Sequence, residues 1–294
     1  MRRKLDAVLL LDKPIGPSSS AVVQSVKRLF GAEKAGHAGT LDPLASGLLP
    51  LLFGEATKFA QFGLDSDKEY VARIRLGAST DTGDAGGKVL ERNAVNVDDA
   101  RLARALERFR GVIEQVPPMY SALKHGGKPL YALARAGRSV ERAPRQVTVH
   151  ELELLEHRED LVRIRVRCSK GTYLRQIAAD LGAELGTGAH LDGLRRTAVG
   201  NLTLDRAVAL DDLQAMGEGA RKAWLLPPDS LLADLPRLDL GEGEAERFLN
   251  GQAISVVVPV TGACRVYRLA GALLGIGEAL PGGGIQPVRL LARG

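Results

Sequence analysis

Hydrophobic and polar residues alternate in several stretches of the chain, and this alternation predicts strands. The apolar run at residues 7–11 predicts a buried strand that ends at Asp12-Lys13-Pro14. Apolar side chains alternate with arginines in residues 161–168, a pattern typical of a strand with one core face and one basic face. Residues 70–76 alternate in a similar way and predict another strand with one solvated face.

Helical spacing of apolar residues predicts helices over residues 21–30, 99–110 and 174–185. Serines precede the first of these and aspartates the second, as expected for capping residues, and Gly31 and Gly111 end them. Strands of antiparallel type with helices between them favour an α+β fold over a parallel, doubly wound one.

A change in composition predicts two domains. Prolines concentrate in residues 225–236, which we interpret as a linker with a boundary near residue 233. This gives a large domain over residues 1–232 and a small one over residues 233–294. Short apolar runs separated by Gly and Pro predict a β-barrel or sandwich in the small domain, at residues 253–258, 266–269, 273–276 and 288–291.

The net charge of +5 lies entirely in the large domain, because residues 233–294 hold six acidic and six basic residues. Basic residues are densest at residues 118–147, with one acid, Glu141, and with Tyr120 and Tyr131 interleaved. Such a segment can neutralise phosphates and stack on bases, although a solvated basic surface is the alternative. The six basic residues are Lys124, Lys128, Arg135, Arg138, Arg142 and Arg145.

The sequence does not support a membrane protein, a redox protein or a metalloprotein. No apolar run approaches the roughly 20 residues that a membrane-spanning helix needs, so we expect a soluble, cytoplasmic protein. Cys168 and Cys264 are far apart and lack metal or redox spacing, and we interpret both as reduced and non-catalytic. The five histidines form no ligand cluster, so no metal is expected.

The residues best suited to catalysis or ligand binding lie at residues 36–50, in the sequence GHAGTLDPLASGLLP. Its glycines permit sharp turns and the close approach of a ligand. Asp42 lies between Leu41 and Pro43, and we expect it to be partly desolvated, with a cation or backbone donors nearby to keep it ionised. Considered by itself, an Asp-Pro pair in a loop is more often only a turn former.

Within this stretch the pattern HxGTLDPxAxG resembles the central motif of the TruB family of pseudouridine synthases. Further motifs of that family follow its order and cover most of residues 8–200. One difference is that family members commonly have Thr-Ser where this chain has Ser18-Ser19, which retains a hydroxyl. The further motifs are DKPIGPSS (12–19), KEY (68–70), TDTGD (80–84), PPMYSALK (117–124), SKGTYLR (169–175) and LRR (194–196).

The resemblance implies conversion of uridine to pseudouridine, which breaks the N1–C1′ bond and rejoins the base through C5. It implies that Asp42 is the catalytic carboxylate and that Arg175 pairs with it. It also implies that Tyr70 lies against the target base and supplies a stacking face or a proton acceptor. Without the family, Arg175 is more simply a phosphate contact and Tyr70 an ordinary strand aromatic.

The family flips its target nucleotide out of the RNA stack. The resemblance implies that His37 fills the vacated space and that Leu194 presses on the flipped base. It further implies substrate contacts for Asp84 and Tyr173 and a supporting role for Lys13. Outside that family, His37 is an ordinary loop hydrogen-bonder and Leu194 a core residue.

The implied substrate is uridine 55 in the T-arm of tRNA, and no cofactor, metal or obligate protein partner is implied. Residues 118–147 correspond to an RNA-binding insertion, and residues 233–294 resemble the family's PUA-type module in placement and β-content. We take a monomer as the default. The alternatives are a non-catalytic tRNA folding chaperone that uses the same surface and a glycosidase, which usually needs a second catalytic carboxylate.

Overall fold

A long mixed sheet organises the larger part of the molecule. The computed structural model describes residues 2–121, 123–257 and 261–292, apart from the side chains of Pro129 and Arg135. The strands are β1 (Ala7–Lys13), β2 (Ala35–His37), β3 (Ala45–Phe53), β4 (Lys68–Leu76), β5 (Ala78–Thr80), β6 (Val89–Arg92), β7 (Gly111–Gln115), β8 (Lys124–His125), β9 (Lys128–Pro129), β10 (Arg145–Arg158), β11 (Leu161–Cys168), β12 (Ala189–Val199), β13 (Leu202–Thr203), β14 (Val208–Ala209), β15 (Leu225–Leu226), β16 (Arg237–Leu240), β17 (Ala263–Arg268), β18 (Leu273–Ala279) and β19 (Ile285–Leu290).

Helices cover the sheet and connect its strands. The α-helices are α1 (Ser19–Leu29), α2 (Ala60–Asp65), α3 (Asp99–Glu107), α4 (Leu130–Arg135), α5 (Leu174–Glu184), α6 (Leu210–Ala215), α7 (Glu218–Lys222) and α8 (Glu242–Leu249). Short 3-10 helices lie at Gly54–Phe59, Leu204–Arg206 and Ser230–Leu232.

The main sheet has the strand order β14-β1-β3-β12-β4-β11-β10-β7, with β2, β13 and β15 paired at its sides. Its neighbours are antiparallel except for the pairs β1–β14 and β3–β12. Helices flank this sheet and a second, smaller sheet follows, so the predicted α+β class is confirmed. Strands β3, β12 and β4 are adjacent at the centre, and they bring together segments that are far apart in the sequence.

The alternating pattern of β11 produces one buried face and one basic face, as predicted. Val162, Ile164 and Val166 are buried in the core, where burial of such side chains is the main favourable contribution to folding. The intervening arginines face outward and pair with glutamates of β10, for example Arg165 with Glu153. These ion pairs are about half exposed and each contributes little to stability.

The predicted helices are present with small shifts at their ends. Helix α1 begins after Ser18, whose Oγ accepts a hydrogen bond from the Ala21 N–H at 3.2 Å. Gly31, with φ of 61°, follows its end. Asp98 caps α3 in the same way by accepting from Arg101 N–H at 2.7 Å. Helix α5 packs on the sheet through buried residues that include Ile177, Ala178 and Leu181.

The smaller sheet has the order β16-β17-β18-β19 and packs against α8. The described strands therefore form one open sheet rather than a two-sheet sandwich. The strand predicted at residues 253–258 is wrong for residues 253–257, where only Ile254 pairs, in an isolated bridge to Ile285; Val258 lies outside the described residues. Apolar β-branched residues favour a strand locally, but no neighbouring strand extends along this segment.

The two sheets are connected by an apolar contact. Phe59, Leu232 and Ile276 form one buried cluster, although they come from two separate 3-10 helices and from strand β18. Beside it, Lys58 Nζ donates to the Leu290 carbonyl at 2.9 Å. In the part of the chain that the structure describes, no helix is both long and apolar enough to cross a bilayer.

Candidate active site

A cavity of about 310 Å³ opens where the loop before β3, the ends of β4 and β12 and the start of α5 meet. In it, Arg175 Nη2 lies 2.9 Å from Asp42 Oδ2. The structure thus joins two side chains that the sequence holds far apart. Their cavity is also lined by Leu64, Lys68, Tyr70, Ser121, Tyr173, Leu194 and Arg196.

Arg175 is held on several sides. Its Nη1 donates to the Thr82 carbonyl at 3.2 Å, and its Nη2 donates to the Tyr120 carbonyl at 2.7 Å. The Asp84 carboxylate lies 3.7 Å from Nη1. A planar guanidinium with five N–H donors can make all these contacts at once, whereas an ammonium cannot. The arginine is therefore a fixed cation beside Asp42.

Asp84 lies on the far side of this guanidinium. Its Oδ1 accepts hydrogen bonds from Thr82 Oγ1 at 2.7 Å and from Gly86 N–H at 3.0 Å. No acidic partner for Asp42 was evident from the sequence, but the fold brings Asp84 to the same arginine. Because Asp84 is already hydrogen-bonded and mostly buried, it is poorly placed to act as the second carboxylate of a glycosidase.

The Asp42 side chain is about half exposed. Leu41 is buried, but the Asp42 side chain remains 48% exposed and Pro43 is exposed as well. About half of the Asp42 side chain is covered, as expected for a partly desolvated carboxylate, and Arg175 is the cation expected beside it. A ligand that covers the cavity mouth would remove the remaining solvent.

The buried Ser19 of the first motif fixes the loop that carries Asp42, and the buried Lys13 fixes the loop ahead of α1. Ser19 Oγ donates to the Leu41 carbonyl at 2.9 Å and accepts from the Leu41 N–H at 2.8 Å. Lys13 Nζ donates to the carbonyls of Pro14 and Pro17. Burial lowers the pKa of Lys13 to about 8, although Asp42 acts in the opposite direction.

Tyr70 and Arg196 are direct cross-strand partners on β4 and β12, and their side chains are hydrogen-bonded. Arg196 is fully buried and Tyr70 is partly buried. Burial raises the pKa of the Tyr70 phenol, so the phenol stays protonated at neutral pH. The Arg196 guanidinium also donates to the carbonyls of Leu48 and Gly39, at 2.8 and 3.0 Å. Arg196 therefore ties the cavity floor to the Asp42 loop.

Gly47 explains part of the glycine content of the central motif. It has φ of 102°, and a Cβ at this position would lie 2.2 Å from the Arg196 carbonyl oxygen. Close approach is needed here for packing of β3 on β12 rather than for a ligand. The motif is also not one loop, because its ends form β2 and β3, which pair with each other.

Tyr173 contributes to the cavity wall through a loop that is held from behind. Gln115, buried at the end of β7, accepts from the Tyr173 N–H at 3.0 Å and donates to its carbonyl at 3.3 Å. Arg145, paired with Gln115 in the sheet register, places its guanidinium 4.9 Å from the Tyr173 ring centroid. It also donates to the Gly171 carbonyl.

The remaining predicted residues lie in or next to this site. Leu194 lines the cavity from β12. His37 lies at the end of β2, where its Nδ1 accepts from the Gly39 N–H at 3.3 Å. Burial, and then the nearby Arg196, lower the pKa of His37 and favour the neutral imidazole. Of the basic insertion, Ala122 and the side chain of Arg135 lie outside the described residues.

Three supporting residues were not singled out from the sequence, namely Ser19, Gln115 and Arg196. Ser19 and Arg196 belong to quoted motifs, so position within a motif was the available signal. Gln115 lies in none of these motifs. Its structural role depends on the pairing of β7 with β10, which the sequence does not show. Lys68, whose Nζ donates to the Leu64 and Ser66 carbonyls at 2.6 Å, is a further buried cavity residue.

Family models match most of the chain. The model of the TruB family pseudouridylate synthase N-terminal domain matches residues 27–174. The tRNA pseudouridylate synthase B C-terminal domain matches residues 175–233, and a second C-terminal domain, pseudouridine synthase II TruB, matches residues 236–291.

Whole-chain relatives give the same result. A protein of Azoarcus sp. named tRNA pseudouridine synthase B is 51% identical, covering 99% of this chain and 96% of the relative. One of Cupriavidus metallidurans with the same name is 53% identical, covering 99% and 95%. The sequence matches and the fold are those of a pseudouridine synthase. The chain belongs to the TruB family of these enzymes.

Solved structures show the same architecture. The crystal structure of a Cbf5-Nop10-Gar1 complex matches with a TM-score of 0.76 and 27% identity, covering 97% of this chain and 84% of that chain. An H/ACA RNP bound to a substrate RNA containing 2′-deoxyuridine matches with a TM-score of 0.75 and 25% identity, covering 98% and 85%.

Proposed function

We propose that this protein isomerises uridine to pseudouridine at position 55 in the T-loop of tRNA, without a cofactor. The observation that carries the proposal is the ion pair between Asp42 and Arg175 at the mouth of a cavity of about 310 Å³. The curated relatives named tRNA pseudouridine synthase B support the choice of tRNA as substrate. The T-loop position rests on the resemblance in the sequence motifs.

In this proposal, Asp42 is the group that reacts with or stabilises the flipped nucleotide. The N1–C1′ bond breaks, the uracil turns within the cavity, and C5 bonds to C1′. The proton on C5 is then lost to solvent and N1 takes up a proton, so the product is an isomer of the substrate. Asp42 attacks C1′, attacks C6 of the uracil, or assists elimination to a glycal. All three routes require an ionised carboxylate with access to the nucleotide, which its half-exposed position next to Arg175 provides.

The cavity walls suggest roles for the other residues. Tyr70 and Leu194 offer an aromatic face and an apolar surface to the uracil, and Tyr173 contributes to the opposite wall. Asp84 and Lys13 act indirectly, since the first contacts the Arg175 guanidinium and the second holds the loop ahead of α1. His37 lies at the end of β2, just before the loop that carries Asp42. There it can fill the space that the flipped base leaves in the RNA.

RNA binding is assigned to the basic insertion and the small domain. Arg138 is exposed in the insertion, and residues 118–147 lie beside the cavity through Tyr120 and Ser121. We place the domain boundary near residue 233, between the 3-10 helix at Ser230–Leu232 and the first strand of the smaller sheet. The proposal further takes the small domain as PUA-like, the protein as a monomer and the cytoplasm as its location.

The test is incubation of the purified protein with unmodified tRNA that carries tritium at uridine C5. Tritium release without added cofactor is expected, and Asp42→Asn should abolish it while tRNA affinity is retained. Mapping of the product should place pseudouridine at position 55. A protein that only folds tRNA would release no tritium, and its folding activity would survive Asp42→Asn. Absence of release from the unaltered protein would overturn the proposal.

A further inference from the structure

Ser121 is buried in the wall of the active-site cavity with an unpaired hydroxyl. The residue is only 5% exposed and lines the same cavity as Asp42 and Arg175. Its Oγ is buried, and it has no hydrogen-bond partner among the residues that the structure describes. A buried hydroxyl without a partner is unfavourable, and native proteins rarely retain one without a reason.

Other hydroxyl groups of this wall are paired within the protein. Ser169 Oγ accepts from the Thr148 N–H at 2.9 Å, and Thr172 Oγ1 donates to the Ser169 carbonyl at 2.9 Å. These two groups stabilise their own loop. Ser121 differs from them, because its hydroxyl makes no such contribution to the described structure.

The backbone around Ser121 is fixed on both sides. The preceding carbonyl, that of Tyr120, accepts the 2.7 Å hydrogen bond from Arg175 Nη2. The carbonyl of Ser121 itself accepts from the Tyr131 N–H at 3.1 Å, at the start of α4. The backbone that carries this hydroxyl is therefore fixed in the cavity wall, next to a carbonyl that Arg175 contacts.

We infer that Ser121 hydrogen-bonds the nucleotide bound in the cavity, either at a carbonyl oxygen of the uracil or at the ribose 2′-hydroxyl. The inference rests on the proposed function and adds a substrate-contacting residue to it. A hydroxyl can both donate and accept, so either oxygen satisfies it. Since Ser121 lies at the start of the insertion, this contact would couple RNA binding by the insertion to nucleotide binding in the cavity.

Activity is the first measurement. Ser121→Ala should lower kcat/KM on a T-arm stem-loop about tenfold, the usual order for one lost hydrogen bond to substrate. Its thermal unfolding temperature should be unchanged or higher, because an unpaired buried hydroxyl has been removed. Ser121→Cys, of similar size but a weak hydrogen-bonder, should give an intermediate loss. Ser255→Ala, at an exposed serine of the small domain, is the matched control and should change neither quantity.

Affinity measurements identify the partner atom. In an Asp42→Asn background, which prevents turnover, the loss of affinity caused by Ser121→Ala is measured on stem-loops with uridine, 2′-deoxyuridine, 2-thiouridine or 4-thiouridine at the target position. The loss should shrink below twofold only on the RNA that lacks the contacted oxygen. An equal loss on all four RNAs, or a kcat/KM within twofold of the unaltered protein, would overturn the inference. Turnover by the unaltered protein tests the proposed function separately.

Discussion

Arg175 and Asp42 form an ion pair in which one partner is buried and the other is open. The Nη2–Oδ2 distance is 2.9 Å, while the side chains are 7% and 48% exposed. Most of the holding contacts belong to the guanidinium, which bonds two carbonyls and faces Asp84 as well. The cation is thus preorganised by the protein, and the carboxylate keeps a free side for a ligand.

Replacement of Arg175 by lysine should show whether catalysis needs only the positive charge of this side chain or also its planar shape. Lysine retains the positive charge but cannot span the carbonyls of Thr82 and Tyr120 together with Asp42. We expect kcat to fall about 100-fold, the order of effect of a misplaced reacting group, with little change in RNA affinity. Single-turnover kinetics at saturating RNA measures this. Arg163→Lys, at an exposed pair with Glu156, is the control. Equal kcat in both variants would show that charge alone suffices.

Arg196 should contribute to stability as well as to the cavity. Arg196→Lys leaves the Gly39 and Leu48 carbonyls and the Tyr70 hydroxyl without their planar partner. We expect the free energy of unfolding to fall by about 2–3 kcal/mol, from lost buried hydrogen bonds. Urea denaturation provides the measurement. The neighbouring Arg195 faces Asp12 on the exposed side, so Arg195→Lys should cost under about 1 kcal/mol. Similar losses for the two variants would contradict the assigned role.

Stability should rise with pH above about pH 8 because of Lys13. Its folded-state pKa is lowered from 10.5 to about 8, mainly by burial. Between these values the unfolded chain binds more protons than the folded one, so folding is increasingly favoured as pH rises. Lys68, also lowered to about 8, acts with the same sign.

The contribution of Lys13 is isolated by comparing the unaltered protein with Lys13→Met in urea at pH 7, 8, 9 and 10. The unaltered protein should gain stability relative to the variant across this series. Lys88→Met, at an exposed lysine, should show no such trend. A constant difference between the unaltered protein and Lys13→Met would contradict the expected linkage.

The arginines of the insertion should separate RNA binding from catalysis. Replacement of Arg138, Arg142 and Arg145 by alanine should weaken RNA binding and flatten its salt dependence, by about one unit of slope per lost phosphate contact. Arg145 also contacts Tyr173, so restoring it alone should recover kcat more than affinity. Titration at several salt concentrations tests this. The charge-matched control replaces three glutamate-paired arginines, Arg108, Arg110 and Arg163, by alanine. Unchanged affinity in the triple variant would refute the role of the insertion.

Several elements were predictable because their signals are local. The alternation in Leu161–Cys168 predicted β11 with the same bounds that the structure shows, and a serine cap with helical spacing predicted α1. Helix α8 was missed. It has only eight residues, among them Gly243, and its burial against the smaller sheet outweighs weak local preference. The strand expected at residues 253–257 failed for the converse reason, since apolar β-branched residues form a strand only beside a partner.

The sequence by itself determined which side chains can do chemistry, because the motifs around Asp42, Tyr70 and Arg175 are continuous stretches of chain. It could not determine that Asp42 stays half exposed or that Asp84 shares its arginine. Nor could it show that Ser121 lies in the wall with an unpaired hydroxyl. Those facts depend on which strands lie side by side and which loops they carry together. Pairing of β12 with β3 and β4 is a long-range result of core packing, and no local pattern encodes it.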